Sequence, residues 1–301
     1  MKKLFILILI CCTSLAVVAQ KSKHKQPKNT CINAICCEEA NETVSETSAS
    51  TAFALQAGTN AFSNLHEAPL EFVLENQKGT MVSYDCPDGK KGMTYEIKAT
   101  AVSNNYLIVI QEWWGLNDYI KQEAENYYNA LDGKVNVLAV DLYDGKVAST
   151  ADSARSLVMA AMGSHRKENI ISGAIAYAGK DANIYSLGWC FGGMMSLQTG
   201  IMAGKQGKAT VMYYGQPEQD ESKLKNLQAD VLGIFGTKDQ SIPNEAVDKF
   251  AEKMKALGKH FQLERYDAPH AFANPSNPSY NAAAKQDAFT KTITFLKARI
   301  H

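Results

Sequence analysis

Cys190 stands in the run Ile184-Tyr-Ser-Leu-Gly188-Trp-Cys190-Phe-Gly192-Gly193. Apolar residues before it read as a strand and those after it as a helix, so the segment is strand, G-x-C-x-G, helix: a nucleophile elbow with cysteine in place of serine. A strand that turns directly into a helix leaves no room for side chains two residues before or after the turn. Glycine at 188 and 192 meets that demand. The turn residue is thrown outward at the helix N-terminus, where the dipole and free N–H groups favour an anion and lower a thiol's pKa from ~8.5. The competing readings are a buried structural cysteine and a phosphate-cradling loop. Against the loop, G-x-x-x-G-G matches neither the dinucleotide nor the P-loop spacing.

Two later residues supply the rest of a thiol-based acyl-transfer apparatus. Asp239 follows Val231–Gly236, and His270 follows Phe261–Tyr266, each just past an expected strand. Consecutive parallel strands bring such loops together along one sheet edge, so that His270 reaches Cys190 while Asp239 holds its other ring nitrogen. Taken singly, a loop aspartate is a turn former and a Pro-His pair is surface. Asp267 is the competing acid, but Asp239 follows its own strand and a glycine turn.

The elements that must position these groups are legible in the periodicity. Short apolar runs alternate with amphipathic stretches, the pattern of βα units around a mainly parallel sheet. Strands are expected at 81–86, 95–101, 106–112, 135–141, 184–188, 210–214, 231–236 and 261–266. A helix is expected after Asn117 as N-cap, with Ile120, Ala124, Tyr127, Tyr128 and Leu131 at helical spacing and a stop at Gly133. Others cover 168–178, 191–202, 244–257 and 282–300.

The first residues, Met-Lys2-Lys3, an apolar run Leu4–Ile10 and small residues to Ala19, read as a signal peptide cut after Ala19. A membrane anchor and a lipoprotein signal are the alternatives; the apolar run is shorter than the ~20 residues a span needs. Residues 20–65 are rich in Lys, Ser, Thr, Ala and Asn and read as a disordered leader, with the main domain at 66–301. Of seven cysteines, five follow the signal: Cys31, Cys36, Cys37, Cys86 and Cys190. An odd number in an oxidising compartment leaves one thiol free or paired between chains, and the elbow makes Cys190 the free one. The Cys31, Cys36, Cys37 trio lacks the second ligand pair of a zinc site, so no metal or other cofactor is expected.

Around these motifs the chain resembles the dienelactone hydrolase family over roughly Met81 to Leu296. The resemblance is carried by Gln111-Glu112-Trp113-Trp114-Gly115-Leu116-Asn117, the Gly188–Gly193 elbow, Tyr213-Tyr214-Gly215, Gly236-Thr-Lys-Asp239 and His270-Ala-Phe-Ala. It implies the α/β-hydrolase fold, a mainly parallel sheet with helices on both faces, and a Cys190, His270, Asp239 triad. It also implies that Glu112 lies near the thiol and helps form the thiolate. Without the resemblance, Glu112 would read as a solvent-facing strand-end charge. An oxyanion hole is expected from the backbone N–H of Phe191 at the helix start, and the resemblance suggests Trp113 N–H as its second donor. Family members that act on dienelactone clamp its carboxylate with arginines, one of them four residues after the histidine, where this chain has Asn274. The chain has four arginines, and only Arg155 is loosely placed for the second. Asn274, Tyr214 and Arg155 are thus the candidate substrate contacts, and the departure points away from dienelactone as substrate.

Bulk composition agrees with a small-molecule site. Thirty-one basic residues balance 31 acidic ones, so no net field draws the chain to nucleic acid or an anionic membrane. The expected activity is cleavage of an ester or lactone through an acyl-thioester. The alternatives are a broad acyl esterase on plant or polysaccharide esters and a non-catalytic binding protein on the same scaffold.

Overall fold

The computed structural model describes residues 48–300. The expected signal peptide, the Cys31, Cys36, Cys37 trio and the leader up to residue 47 lie outside the described residues. Eight strands form one sheet: β1 (Thr80–Asp85), β2 (Lys91–Ile97), β3 (Asn105–Ile110), β4 (Asn136–Val140), β5 (Asn183–Trp189), β6 (Gly207–Tyr213), β7 (Asp230–Gly236) and β8 (Phe261–Tyr266). Their spatial order is β1-β2-β4-β3-β5-β6-β7-β8. β2 runs antiparallel to both β1 and β4, and all remaining neighbours are parallel. The central strands β3, β4 and β5 are apolar at nearly every position because both faces are covered.

Nine helices accompany the sheet among the described residues: α1 (Ala49–Ala57), α2 (Asn60–Asn64), α3 (Asp118–Ala130), α4 (Ala151–Met162), α5 (Arg166–Ala178), α6 (Phe191–Ala203), α7 (Glu221–Leu224), α8 (Asn244–Ala256) and α9 (Ala282–Lys297). Strand alternation sorts them into layers. On β6, Met212 joins Leu197 of α6 and Phe250 of α8 in one apolar cluster. The next residue, Tyr213, bonds Thr292 of α9 at 2.7 Å, on the opposite face. Tyr127 of α3 packs on Phe289 of α9 with ring centroids 4.8 Å apart, so α3 shares that face. Asn117 caps α3 as expected, its side chain accepting the Ile120 N–H.

Two expectations are corrected. The strand foreseen at 106–112 stops at Ile110, so Gln111 and Glu112 leave the sheet at its carboxyl edge. The leader foreseen as disordered to residue 65 is folded in its described part, as α1 and α2, and belongs to the compact unit Ser45–His301. Ser48 and Thr59 cap the two helices. Phe53 and Phe62 are fully buried, Phe53 against Phe191 and Phe62 edge-on to Trp113. A polar-looking composition hid two aromatic anchors that dock on the larger core. Cys86 is a free buried thiol, as is Cys190. No described helix is long and apolar enough to cross a membrane.

Candidate active site

β5 passes into α6 at Cys190, whose φ of 52° and ψ of −115° lie in a region that a side chain disfavours. Such strain costs ~1–3 kcal/mol and persists only where the surroundings over-determine it. The glycines show how: a Cβ on Gly188 would collide with the Gly192 carbonyl, and one on Gly192 with the carbonyls of Ile110 and Gln111. The strand, the helix and the end of β3 therefore meet backbone to backbone, and Cys190 is pinned where they converge.

The loop after β7 supplies Asp239 and the loop after β8 supplies His270, both buried. Asp239 Oδ2 and His270 Nδ1 are 2.7 Å apart. The other carboxylate oxygen accepts the N–H groups of Ser241 and Ile242 at 2.7 and 2.9 Å, which fixes the carboxylate plane. Asp267, the competing acid, instead forms an exposed ion pair with Lys238 at 2.9 Å. With Nδ1 committed, the buried Nε2 of His270 has no hydrogen-bond partner of ordinary geometry and is left for Cys190.

Burial pushes the Cys190 thiol up, opposed by the neighbouring His270. Burial also pulls His270 toward the neutral ring, but the Asp239 carboxylate and the Cys190 sulfur outweigh it and raise its proton affinity. The pair is thus poised to move one proton from sulfur to imidazole. Glu112, just past β3, is held by Tyr214 Oη at 3.4 Å and by Asn274 Nδ2 at 2.6 Å. Burial pushes its carboxyl up to about 7, despite the opposing His270 charge and those two hydrogen bonds. Tyr214 also packs edge-on against the His270 ring at 5.0 Å.

A cavity of about 250 Å³ opens beside this cluster, lined by Trp114, Tyr119, Trp189, Pro275, Glu112 and Asn274 among others. Among the described residues, no Arg, Lys or His lines it. Asn274 lines the cavity, and its amide donates to Glu112. Arg155 does not line the cavity. Its guanidinium bonds Ser63 Oγ, the Thr59 carbonyl and Asn60 Oδ1, so it fastens α2 to α4 and is no substrate clamp. The backbones of Trp113 and Phe191 flank the cluster at the end of β3 and the start of α6.

One site residue was not foreseen. His66, two residues past α2, brings Nε2 to 3.9 Å from the Cys190 sulfur, while its Nδ1 is 2.7 Å from the Phe62 carbonyl. Burial pushes its pKa down to about 3, with the His270 charge adding to the effect, so this ring is neutral. Its contact with the sulfur spans 124 residues of sequence, and no local motif announces it.

The sheet order, the elbow and the placement of the three loops define an α/β-hydrolase. Within that class the match is specific: the model of the dienelactone hydrolase family covers residues 93–300, and the chain belongs to that family. It is 30% identical over 209 residues to Protein usf of Aquifex pyrophilus, covering 64% of this chain and 87% of that one. It is 28% identical over 219 residues to a candidate carboxymethylenebutenolidase of Escherichia coli, covering 64% and 76% of the two chains. Among solved structures, a dienelactone hydrolase-like promiscuous phosphotriesterase from metagenomic libraries superposes with a TM-score of 0.64 at 20% identity, covering 74% of this chain and 100% of that one. The family match begins at residue 93, so α1, α2 and His66 lie outside it.

Proposed function

We propose that the protein hydrolyses a carboxylic ester or lactone through a Cys190, His270, Asp239 triad, with an acyl-thioester intermediate. The observation that carries this reading is the strained elbow cysteine facing a histidine whose far nitrogen is held by a buried carboxylate. His270 takes the thiol proton as the sulfur attacks the carbonyl carbon, then gives it to the leaving alcohol. In the second half it takes a proton from water, whose oxygen attacks the thioester carbon, and returns that proton to the Cys190 sulfur as the C–S bond breaks and the acid leaves. The oxyanion of each tetrahedral intermediate is assigned to the N–H groups of Phe191 and Trp113. In this reading Glu112, whose carboxyl burial pushes up to about 7, assists loss of the thiol proton. The names of relatives favour the carboxymethylenebutenolidase class.

The cavity favours neutral, aromatic or apolar acyl groups, because tryptophan and tyrosine side chains line it and, among the described residues, no cation does. The signal-like start of the chain supports secretion or a periplasmic location as part of the same proposal. The decisive experiment is Cys190→Ala on p-nitrophenyl acetate. The folded variant is expected to lose essentially all turnover, and turnover at the wild-type rate overturns the mechanism.

A further inference from the structure

The proposed triad leaves His66 without a task, yet it is the third donor around one point. The Cys190 sulfur and one ring nitrogen from each of His66 and His270 all lie within 4.8 Å of one another, and all three residues are buried. Both rings are oriented alike. Nδ1 of His66 is committed to the Phe62 carbonyl and Nδ1 of His270 to the Asp239 carboxylate. Each ring therefore keeps a proton on Nδ1 and, in its neutral form, presents the Nε2 lone pair inward. That is the arrangement by which carbonyl and carboxylate partners prepare histidines for metal ligation. The Nε2 of His270 makes no other hydrogen bond, although the side chain is almost wholly enclosed.

From these contacts we propose that Cys190, His66 and His270 bind a single thiophilic divalent cation of the zinc type, and that the bound ion shuts the nucleophile. A thiolate with two imidazoles selects zinc or copper over magnesium or calcium. Tetrahedral zinc, with bonds of ~2.3 Å to sulfur and ~2.0–2.1 Å to nitrogen, sets its donors roughly 3.3–3.6 Å apart. The 3.9 Å between Cys190 Sγ and His66 Nε2 needs only a small contraction, whereas donors as far as 4.8 Å apart must close by roughly 1.2–1.5 Å through side-chain rotation. Binding breaks the Cys190 S–H bond and forms the sulfur–metal bond, and the proton leaves to solvent. The imidazoles contribute Nε2 lone pairs and keep their Nδ1 protons, so the Cys190 and His270 pair, which shares one proton between sulfur and Nε2, releases that one proton per ion. Three protein donors leave the fourth position of the ion to water. With the sulfur and His270 Nε2 both coordinated, neither can attack a carbonyl nor accept a proton. The inhibitory half of the proposal rests on the hydrolase reading; the binding half does not.

The test is Co²⁺ titration of the full chain, read by the thiolate-to-metal charge-transfer band. Subtracting the Cys190→Ser spectrum removes the contribution of all other thiols. The difference is expected to show a band saturating at one ion per chain. His66→Gln, with His66→Asn beside it at equal near-UV circular dichroism, is expected to weaken binding by at least ~100-fold. Loss of a group that only orients a ligand costs ~10–100-fold. A difference spectrum without the band, or unchanged affinity in both His66 variants, overturns the site. In parallel, Zn²⁺ is expected to stop p-nitrophenyl acetate hydrolysis reversibly on adding chelator, with the inhibiting concentration raised by the same factor in the His66 variants. A full Co²⁺ band with undiminished hydrolysis overturns the inhibitory role. A full band on a chain that hydrolyses nothing even after chelation supports the site and counts against the hydrolase reading.

Discussion

At the residue scale, the two acids near the site carry different jobs and give separable predictions. Asp239 accepts from His270 and is fixed by two backbone N–H groups, whereas Asp267 pairs with Lys238 in solvent. Asp239→Asn is therefore expected to lower kcat by about 10⁴, as in comparable serine triads, with Asp267→Asn within a factor of about two of wild type. Steady-state kinetics of the two variants checks the ranking, and the reverse order reassigns the acid. Glu112 yields a pH signature. Its carboxyl is pushed from the ordinary 4.5 up to about 7 on folding. A raised folded-state pKa means that the folded chain binds more protons than the unfolded one between those values. The stability Glu112 contributes is therefore fully present below pH 4.5 and is lost as the pH rises through 7. At ~1.36 kcal/mol per unit the loss is roughly 3 kcal/mol. Glu112→Gln removes this titration. Thermal melts are thus expected to show the variant gaining on wild type as the pH climbs from 4.5 to 7, and parallel curves refute the assignment.

At the element scale, the described N-terminal segment is part of the site wall. α1 and α2 insert Phe53 and Phe62 between Phe191, Trp113 and His66, and Arg155 and Asn277 tie the segment down. Cys190 is only 1% exposed under this cover. Removing residues 21–65 is therefore not neutral, contrary to what a disordered leader would allow. Phe62→Ala is expected to destabilise the chain by ~3–5 kcal/mol, the usual cost of emptying a buried aromatic site. It is also expected to raise the alkylation rate of Cys190 by iodoacetamide several-fold. Urea melts and mass-spectrometric labelling measure the two effects; unchanged stability and labelling would detach α2 from the site.

At the scale of the whole molecule, opposite charges balance overall, and among the described residues the cavity has acidic and amide groups at its wall and no cation. Arginine clamps hold carboxylates through charge-assisted hydrogen bonds contributing ~1.5–3 kcal/mol each. Without such a clamp, kcat/KM for neutral aryl esters is expected to equal or exceed that for an acid-bearing lactone. A preference for the anionic lactone of a hundredfold or more sinks this expectation. Asn274→Arg is expected to shift the ratio toward the anion. The shift will be blunted, because the guanidinium would meet the Glu112 carboxylate to which Asn274 now donates. The kcat/KM ratio across a charge series measures both.

The strands, most of the helices and the elbow were legible from residue types alone because each is governed by local rules: short continuous apolar runs, an Asn117 cap, and glycines where backbones touch. The order Cys190, Asp239, His270 likewise follows from loops at the carboxyl ends of β5, β7 and β8. What local rules do not contain is a contact between distant segments. The docking of Phe53 and Phe62, the capture of Arg155 by α2 and the approach of His66 to the Cys190 sulfur each join segments far apart in sequence. A sparse pair of aromatics in a polar stretch shows no periodicity of its own, and its helices are stabilised by the surface they cover. Tertiary packing alone decided that Arg155 serves the fold, that Asn274 holds Glu112, and that a second imidazole completes the surroundings of the thiol.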